Sequence, residues 1–505
     1  MATDDAPEVR IAAGRLRGRS EEGVAVFRGI PFAEPPVGAL RFAAPRPARG
    51  WDGVREARDF GPPPPQAASM AEVPAVQPES DDWLTVNVWS PDPAPGAGLP
   101  VMVWIYGGAY QNGSSSSPGY DGALLAREGP AVVVTLNYRV GVEGFAHLED
   151  APANRGLLDQ IAALEWVRDN VRAFGGDPAR VTVFGESAGA GSIAALLATE
   201  RAAGLFRRAV LQSVPGTYFS AGLAADIGAA IAGELGLRPT AADLSTVPPG
   251  RLPAAGDAIA AKMRQHEARW GAVAHTPTPF SPVVDGELLS RTPWEAVADG
   301  AARDVALLTG HTRDEYRLFL AWEGLPVTVS EERADTALRV FAPGPDGPRR
   351  YREGFPGAGP AELCEVVQSD WLFRMPTLAL ARAQSEAGGS AHLYELTWPA
   401  PAYDGAFGAC HALDVPLTFG TLDADIALLL LGDASNAGAR ELSAYIRRAW
   451  TRFATEGTPG WPAYDTTDHH TQLLDTPPTL APYPETTSRA LWEHHAFGPL
   501  PLLAE

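Results

Sequence analysis

The sequence predicts an α/β protein whose core is a doubly wound, mostly parallel sheet. Two observations predict it. Near-continuous apolar runs, Leu99 to Tyr106 (LPVMVWIY) and Ala131 to Tyr138 (AVVVTLNY), read as strands buried on both faces. Around and after them, segments with apolar residues at helical spacing alternate with further short apolar runs, the pattern of strand–helix–strand units.

Taken in order, residues 9–30 alternate apolar and polar positions around Gly14, Gly18 and Gly23, which predicts short antiparallel strands joined by tight turns. The proline-rich stretch from Gly61 to Pro78 lacks the N–H groups a ladder needs and is expected as a surface loop. Leu157 to Phe174 has helical periodicity and stops at Gly175-Gly176. Val181 to Phe184 reads as a buried strand and Gly189 to Thr199 as a helix of small residues. Ala209 to Gln212, Val305 to Leu308 and Leu393 to Trp398 supply further strands. Two helix-rich stretches, about 218–275 and 320–390, are expected as insertions forming a helical cap over the sheet's active edge, within one domain spanning 1–505.

Composition limits the partners. A net charge of −21 opposes contact with DNA or anionic lipid, so neither nucleic acid nor membrane is expected. Two cysteines, Cys364 and Cys410, can build neither a disulfide framework nor a four-thiolate metal site; one bridge between them is open to them, but they read first as two free thiols of a reducing compartment. The acidic start Met1 to Glu8 has no apolar core of a signal peptide, and the run Ile426 to Leu431 is too short to span a bilayer. The expectation is a cytoplasmic protein, monomeric or weakly self-associating. Lys262 is the only lysine, and Ile259 rather than serine stands three residues before it, which excludes an S-x-x-K hydrolase.

The chemistry is carried by Gly185-Glu186-Ser187-Ala188-Gly189, a G-x-S-x-G pentapeptide between a β-branched strand and a helix. That setting defines a nucleophile elbow, a strand–turn–helix corner in the α/β-hydrolase fold. A helix N-terminus there favours the negative charge that develops during acyl transfer. The crowded Glu186-Ser187 turn argues against a dinucleotide-binding loop. A serine hydroxyl needs a base, and the base an acid, in the chain order Ser, Asp or Glu, His. Of ten histidines, His411 alone combines that order with a small-residue loop beyond a predicted strand. The acid is Asp314 or Glu315, both after the Val305 to Gly310 strand, and spacing does not separate them. Asp285 competes, but Asp285-Gly286 reads first as a turn. Gly107-Gly108-Ala109-Tyr110, directly after a buried strand, offers main-chain N–H groups for an oxyanion hole, supplemented by Ala188.

With these segments assembled, the chain resembles the type B carboxylesterase family, which includes bacterial para-nitrobenzyl esterases and, more distantly, cholinesterases. The resemblance is carried by Phe27 to Pro36 (FRGIPFAEPP), Asp82 to Trp89 (DWLTVNVW), Trp104 to Gly108, Asn137 to Arg139, Asn154 to Gln160 (NRGLLDQ), Phe174 to Gly189 and Phe206 to Ser213 (FRRAVLQS). It implies a triad of Ser187, Glu315 and His411, an oxyanion hole of Gly108, Ala109 and Ala188, and a glutamate, Glu186, that tunes the field beside the nucleophile. It implies no cofactor, no metal and a small-molecule ester as partner, with aryl and short-chain esters first and carbamates or amides as alternatives. It also exposes departures. Trp83 stands where many relatives carry a cysteine bonded to the proline-rich loop, which implies a loop without that clamp. Val214 replaces the usual glycine after Gln212-Ser213. No tryptophan lies between Trp51 and Trp83 to hold a quaternary ammonium, which argues against choline esters.

Overall fold

Among the described residues eleven strands form one mixed sheet, and their order explains where the functional loops meet. The structure, a computed structural model, describes residues 6–67, 81–424 and 426–503. In chain order the strands are β1 (Arg19–Glu21), β2 (Val24–Pro31), β3 (Thr85–Ser90), β4 (Leu99–Ile105), β5 (Val132–Leu136) and β6 (Gly176–Glu186). β7 (Arg208–Gln212), β8 (Ala306–Thr312), β9 (Ala391–Leu396), β10 (His470–Leu474) and β11 (Thr479–Pro482) complete the series. In space they run β11-β10-β9-β8-β7-β6-β4-β5-β3-β2-β1. The seven from β10 to β5 are parallel, and antiparallel pairs close both edges. Every position of β5, and all but the first of β4, is buried, as their unbroken apolar sequences require.

The predicted strands are present, with boundaries moved by their neighbours. Only part of the 9–30 alternation enters the main sheet; Glu8–Ile11 and Gly14–Arg17 pair with Val54–Glu56 in a separate three-stranded sheet. β8 continues past the apolar residues through Thr309, Gly310, His311 and Thr312, because β7 and β9 flank it and supply partners for its backbone. β9 begins at Ala391 and ends at Leu396, where the Thr397 and Trp398 N–H groups both turn to Leu474 O and the chain leaves the ladder. The helix Arg155–Asn170 passes into a tighter turn, Val171–Phe174, and stops at Gly175 with φ 82°.

Between β7 and β8 the chain runs through the helices Ala221–Glu234 and Pro253–Ala260. Between β8 and β9 it forms Arg317–Trp322, Glu331–Phe341 and Pro360–Ser369, a π-helical turn Asp370–Arg374, and Met375–Glu386, which lies against β8 and β9. Cys364 and Cys410 are both buried free thiols. Among the described residues no helix is long and apolar enough to cross a membrane. Of the proline-rich stretch, 61–67 is described and contains neither strand nor helix; 68–78 lies outside the described residues.

Candidate active site

β6 ends at Glu186 and the next helix begins at Ala188, so Ser187 alone makes the corner, with φ 55° and ψ −125°. A left-handed φ is costly for a residue with a β-carbon and persists only where the surroundings impose it. Here they do. Ser187 N donates to Gln212 O at 2.9 Å, and β4 passes directly behind the turn. A β-carbon on Gly185 would stand 2.6 Å from Ile105 O, and one on Gly189 would collide with the same oxygen. The pentapeptide's two glycines are therefore demanded by close strand–helix approach.

The loops after β8 and β9 converge on the serine's side of the sheet. Asp314 N donates to Ala409 O and Ala409 N donates to Asp314 Oδ2, each at 2.8 Å, so Asp314 holds the loop that carries His411. Its neighbour Glu315 points the other way, and His411 Nδ1 donates to Glu315 Oε2 at 2.6 Å. The remaining oxygen, Oε1, accepts from Ser213 Oγ at 2.6 Å and Thr312 N at 2.9 Å. Asp285 is used in a turn: its Oδ1 accepts from the N–H groups of Glu287, Leu288 and Leu289.

His411 and Ser187 line one cavity of about 1310 Å³, together with Gly108, Ala109, Ala188 and Glu186. His411 Nε2 lies 3.1 Å from Glu186 Oε1, an oxygen that has no hydrogen-bond partner among the described residues. Among the described residues no hydrogen bond joins Nε2 to the Ser187 hydroxyl. Such contacts commonly tighten only when substrate is bound. In the turn after β4, Gly108 has φ 107°, a conformation in which a β-carbon would also meet Asn112 O. The N–H groups of Gly108, Ala109 and Ala188 donate to no other described residue.

Burial alone would drive the imidazole to its neutral form, but Glu186 and then Glu315 outweigh it and hold His411 above the ordinary histidine range. Burial likewise pushes the Glu186 and Asp414 carboxyls up, whereas for Glu315 the charge of His411 and its hydrogen bonds overcome burial and hold it low. The imidazole's hold on its proton therefore depends on the charge of Glu186 first, then of Glu315 and Asp414. Glu186→Gln removes the carboxylate that most raises the imidazole. The acid limb of the kcat/KM profile should therefore move to lower pH, as read with a neutral ester from pH 5 to 9; an unmoved limb refutes the coupling.

Sequence reasoning missed two groups of this cluster. Ser213, with φ 59°, sits at the end of β7 and reaches Glu315 only because β7 and β8 are neighbours. Asp414 follows His411 by three residues and accepts from Tyr394 at 2.9 Å. The signal for Asp414 was a carboxylate one helical turn beyond the histidine; for Ser213 there was none without the sheet order.

Comparison with known proteins places the chain. The carboxylesterase family matches residues 5–341. The chain belongs to the carboxylesterase family and is a carboxylic ester hydrolase of the α/β-hydrolase fold. It is 39% identical over 493 residues to a para-nitrobenzyl esterase of Bacillus subtilis, covering 94% of this chain and 96% of that one. It is 35% identical over 481 residues to a fumonisin B1 esterase of Sphingopyxis macrogoltabida, covering 92% and 86%. A carboxylesterase structure from Geobacillus stearothermophilus superposes with a TM-score of 0.83 at 36% identity, covering 96% of this chain and 99% of that one.

Proposed function

We propose that the ester hydrolase reaction runs through Ser187 as nucleophile, His411 as base and then acid, and Glu315 as the carboxylate that orients the imidazole. The observation that carries this reading is the 2.6 Å bond from His411 Nδ1 to a buried Glu315, which fixes the tautomer and leaves Nε2 to take a proton. Ser187 Oγ attacks the ester carbonyl as its proton passes to Nε2. The C=O electron pair moves onto oxygen, held by the N–H groups of Gly108, Ala109 and Ala188. Collapse expels the alcohol, protonated by His411, and leaves an acyl-serine. Water, deprotonated by His411, repeats the sequence and frees the acid. Glu186 sets the field at Nε2.

We read the stretches 218–275 and 320–390 as the cap of this site. Phe219, Phe319 and Phe373 bring aromatic wall to the cavity, and a volume of about 1310 Å³ exceeds what a small ester fills. Aryl esters are therefore the favoured substrates, with short-chain esters accepted. The buried free thiols agree with action in the cytoplasm on a small molecule. A panel of p-nitrophenyl, benzyl and carbamate substrates tests this. Aryl esters should turn over fastest with a burst of p-nitrophenol; carbamates turned over faster than esters would overturn the substrate assignment.

A further inference from the structure

We propose that Gln66 is a positioning residue for the oxyanion hole, its carboxamide clamping the exit of the turn 107–113 and so aiming the Ala109 N–H into the cavity. The proposal rests on the reading of Gly108, Ala109 and Ala188 as oxyanion donors.

A peptide unit is planar, and in the trans form its C=O and N–H point in opposite directions. Whatever fixes the Gly108 carbonyl therefore fixes the Ala109 N–H. Gly108 O accepts from Gln111 N and Asn112 N, each at 2.9 Å, which turns the carbonyl into the loop and the Ala109 N–H outward. The next residue after Asn112 is Gly113, and both of its main-chain groups go to one side chain. Gly113 N donates to Gln66 Oε1 at 2.9 Å, and Gln66 Nε2 donates to Gly113 O at 2.8 Å. The carboxamide thus pairs with the main chain as a neighbouring strand would, and its orientation is set because each end has only one suitable partner type. The chain of restraint runs from Gln66 to Gly113, to the Asn112 N–H, to the Gly108 carbonyl, to the Ala109 N–H.

Gln66 is itself held. Its Nε2 also donates to Pro64 O at 3.1 Å, and Asn137 joins the two sides, donating to Pro62 O at 3.1 Å while accepting from Ser115 N at 2.8 Å. Gly113 has little freedom of its own: its φ is 127°, and a β-carbon there would enter the Tyr106 ring at the start of the same turn. Other parts of the turn have different anchors. Thr278 Oγ1 donates to Ala109 O at 3.0 Å, and Gly141 N donates to Tyr110 O at 2.7 Å. Among the described residues only Gln66 bonds to Gly113.

The test uses Gln66→Ala and Gln66→Met, the second keeping length and bulk while losing both hydrogen bonds to Gly113. Rates are counted per site titrated by a phosphonate, so misfolded protein does not enter. A p-nitrophenyl ester gives kcat and KM, and an aryl trifluoromethyl ketone, which adds to the serine as an oxyanion, gives a transition-state analogue affinity. Both variants should lose about 10- to 100-fold in kcat, as expected when a donor is mis-aimed by an ångström or less. KM should stay within about threefold, and the ketone's Ki should rise by the factor lost in kcat/KM. Wild-type kcat and Ki in either variant overturn the proposal, as does a loss confined to KM, which would mean that Gln66 only shapes the cavity wall beside Ala67. Ser187→Ala is run in parallel: its inactivity beside fully active Gln66 variants refutes the clamp alone, whereas its activity refutes the reading beneath it.

Discussion

Ser187→Ala should reduce kcat for a p-nitrophenyl ester by a factor on the order of 10⁶, the scale of loss when a serine hydrolase is deprived of its nucleophile. The residue has no structural substitute. The other hydroxyl in the cluster, Ser213, is engaged at 2.6 Å with Glu315 and faces the acid, not the base. Phosphonate labelling should vanish with the activity, while the fold survives, since alanine keeps the β-carbon and loses only one oxygen. A companion, Ser187→Gly, separates chemistry from strain. At φ 55° a side chain costs roughly 1–2 kcal/mol that glycine does not incur, partly offset by glycine's greater freedom when unfolded. Ser187→Gly should therefore be equally inactive yet at least as stable as Ser187→Ala in urea. Turnover in purified Ser187→Ala within tenfold of wild type would remove the serine from the reaction.

What the amino-acid sequence revealed divides along a physical line. The elbow was legible because its causes are local: a tight turn at a strand–helix corner admits only small residues beside the serine, and Ile105 O passing behind Gly185 and Gly189 is the structural reason. The glycine-rich turn after β4 was legible for the same reason, since a β-carbon on Gly108 would meet Asn112 O. Chain order and elimination proposed His411, and the structure sets its imidazole 2.6 Å from Glu315. The choice between Asp314 and Glu315 could not, because adjacent residues on an irregular loop diverge by geometry that spacing does not encode; the pairing of Asp314 with Ala409 decides which one turns to the imidazole. Ser213 and Gln66 were invisible for a stronger reason. Each acts through a partner 102 or 47 residues away, brought near only by sheet order or by the docking of a loop. Strand ends moved because a polar residue such as Thr309 or His311 is carried into the ladder by neighbours on both sides, whatever its own preference.

Glu315→Gln should cost about 10⁴ in kcat, and the reason is a proton in the wrong place. In the wild type Oε2 accepts from His411 Nδ1 while Oε1 accepts from Ser213 and Thr312. In the variant the Ser213 and Thr312 donors retain the amide oxygen, so the NH₂ group is turned to Nδ1. That nitrogen must then become an acceptor, and the imidazole proton moves to Nε2, where it can no longer receive the serine's. Glu315→Asp keeps the charge and tautomer but shortens the reach, and a misplacement near 1 Å should cost about 10². Stability supplies an independent sign. The native carboxyl is held below its unfolded value, so its ionisation stabilises the fold above the ordinary carboxylate range, and that contribution disappears as pH falls through the lower native value. Glu315→Gln should accordingly be less stable than wild type at pH 7, by about 1.5–3 kcal/mol for lost charge-assisted bonds. The two proteins should converge in strongly acidic urea titrations. Equal stability at pH 7, together with activity within tenfold, would show that this carboxylate neither orients the imidazole nor draws its ionisation from it.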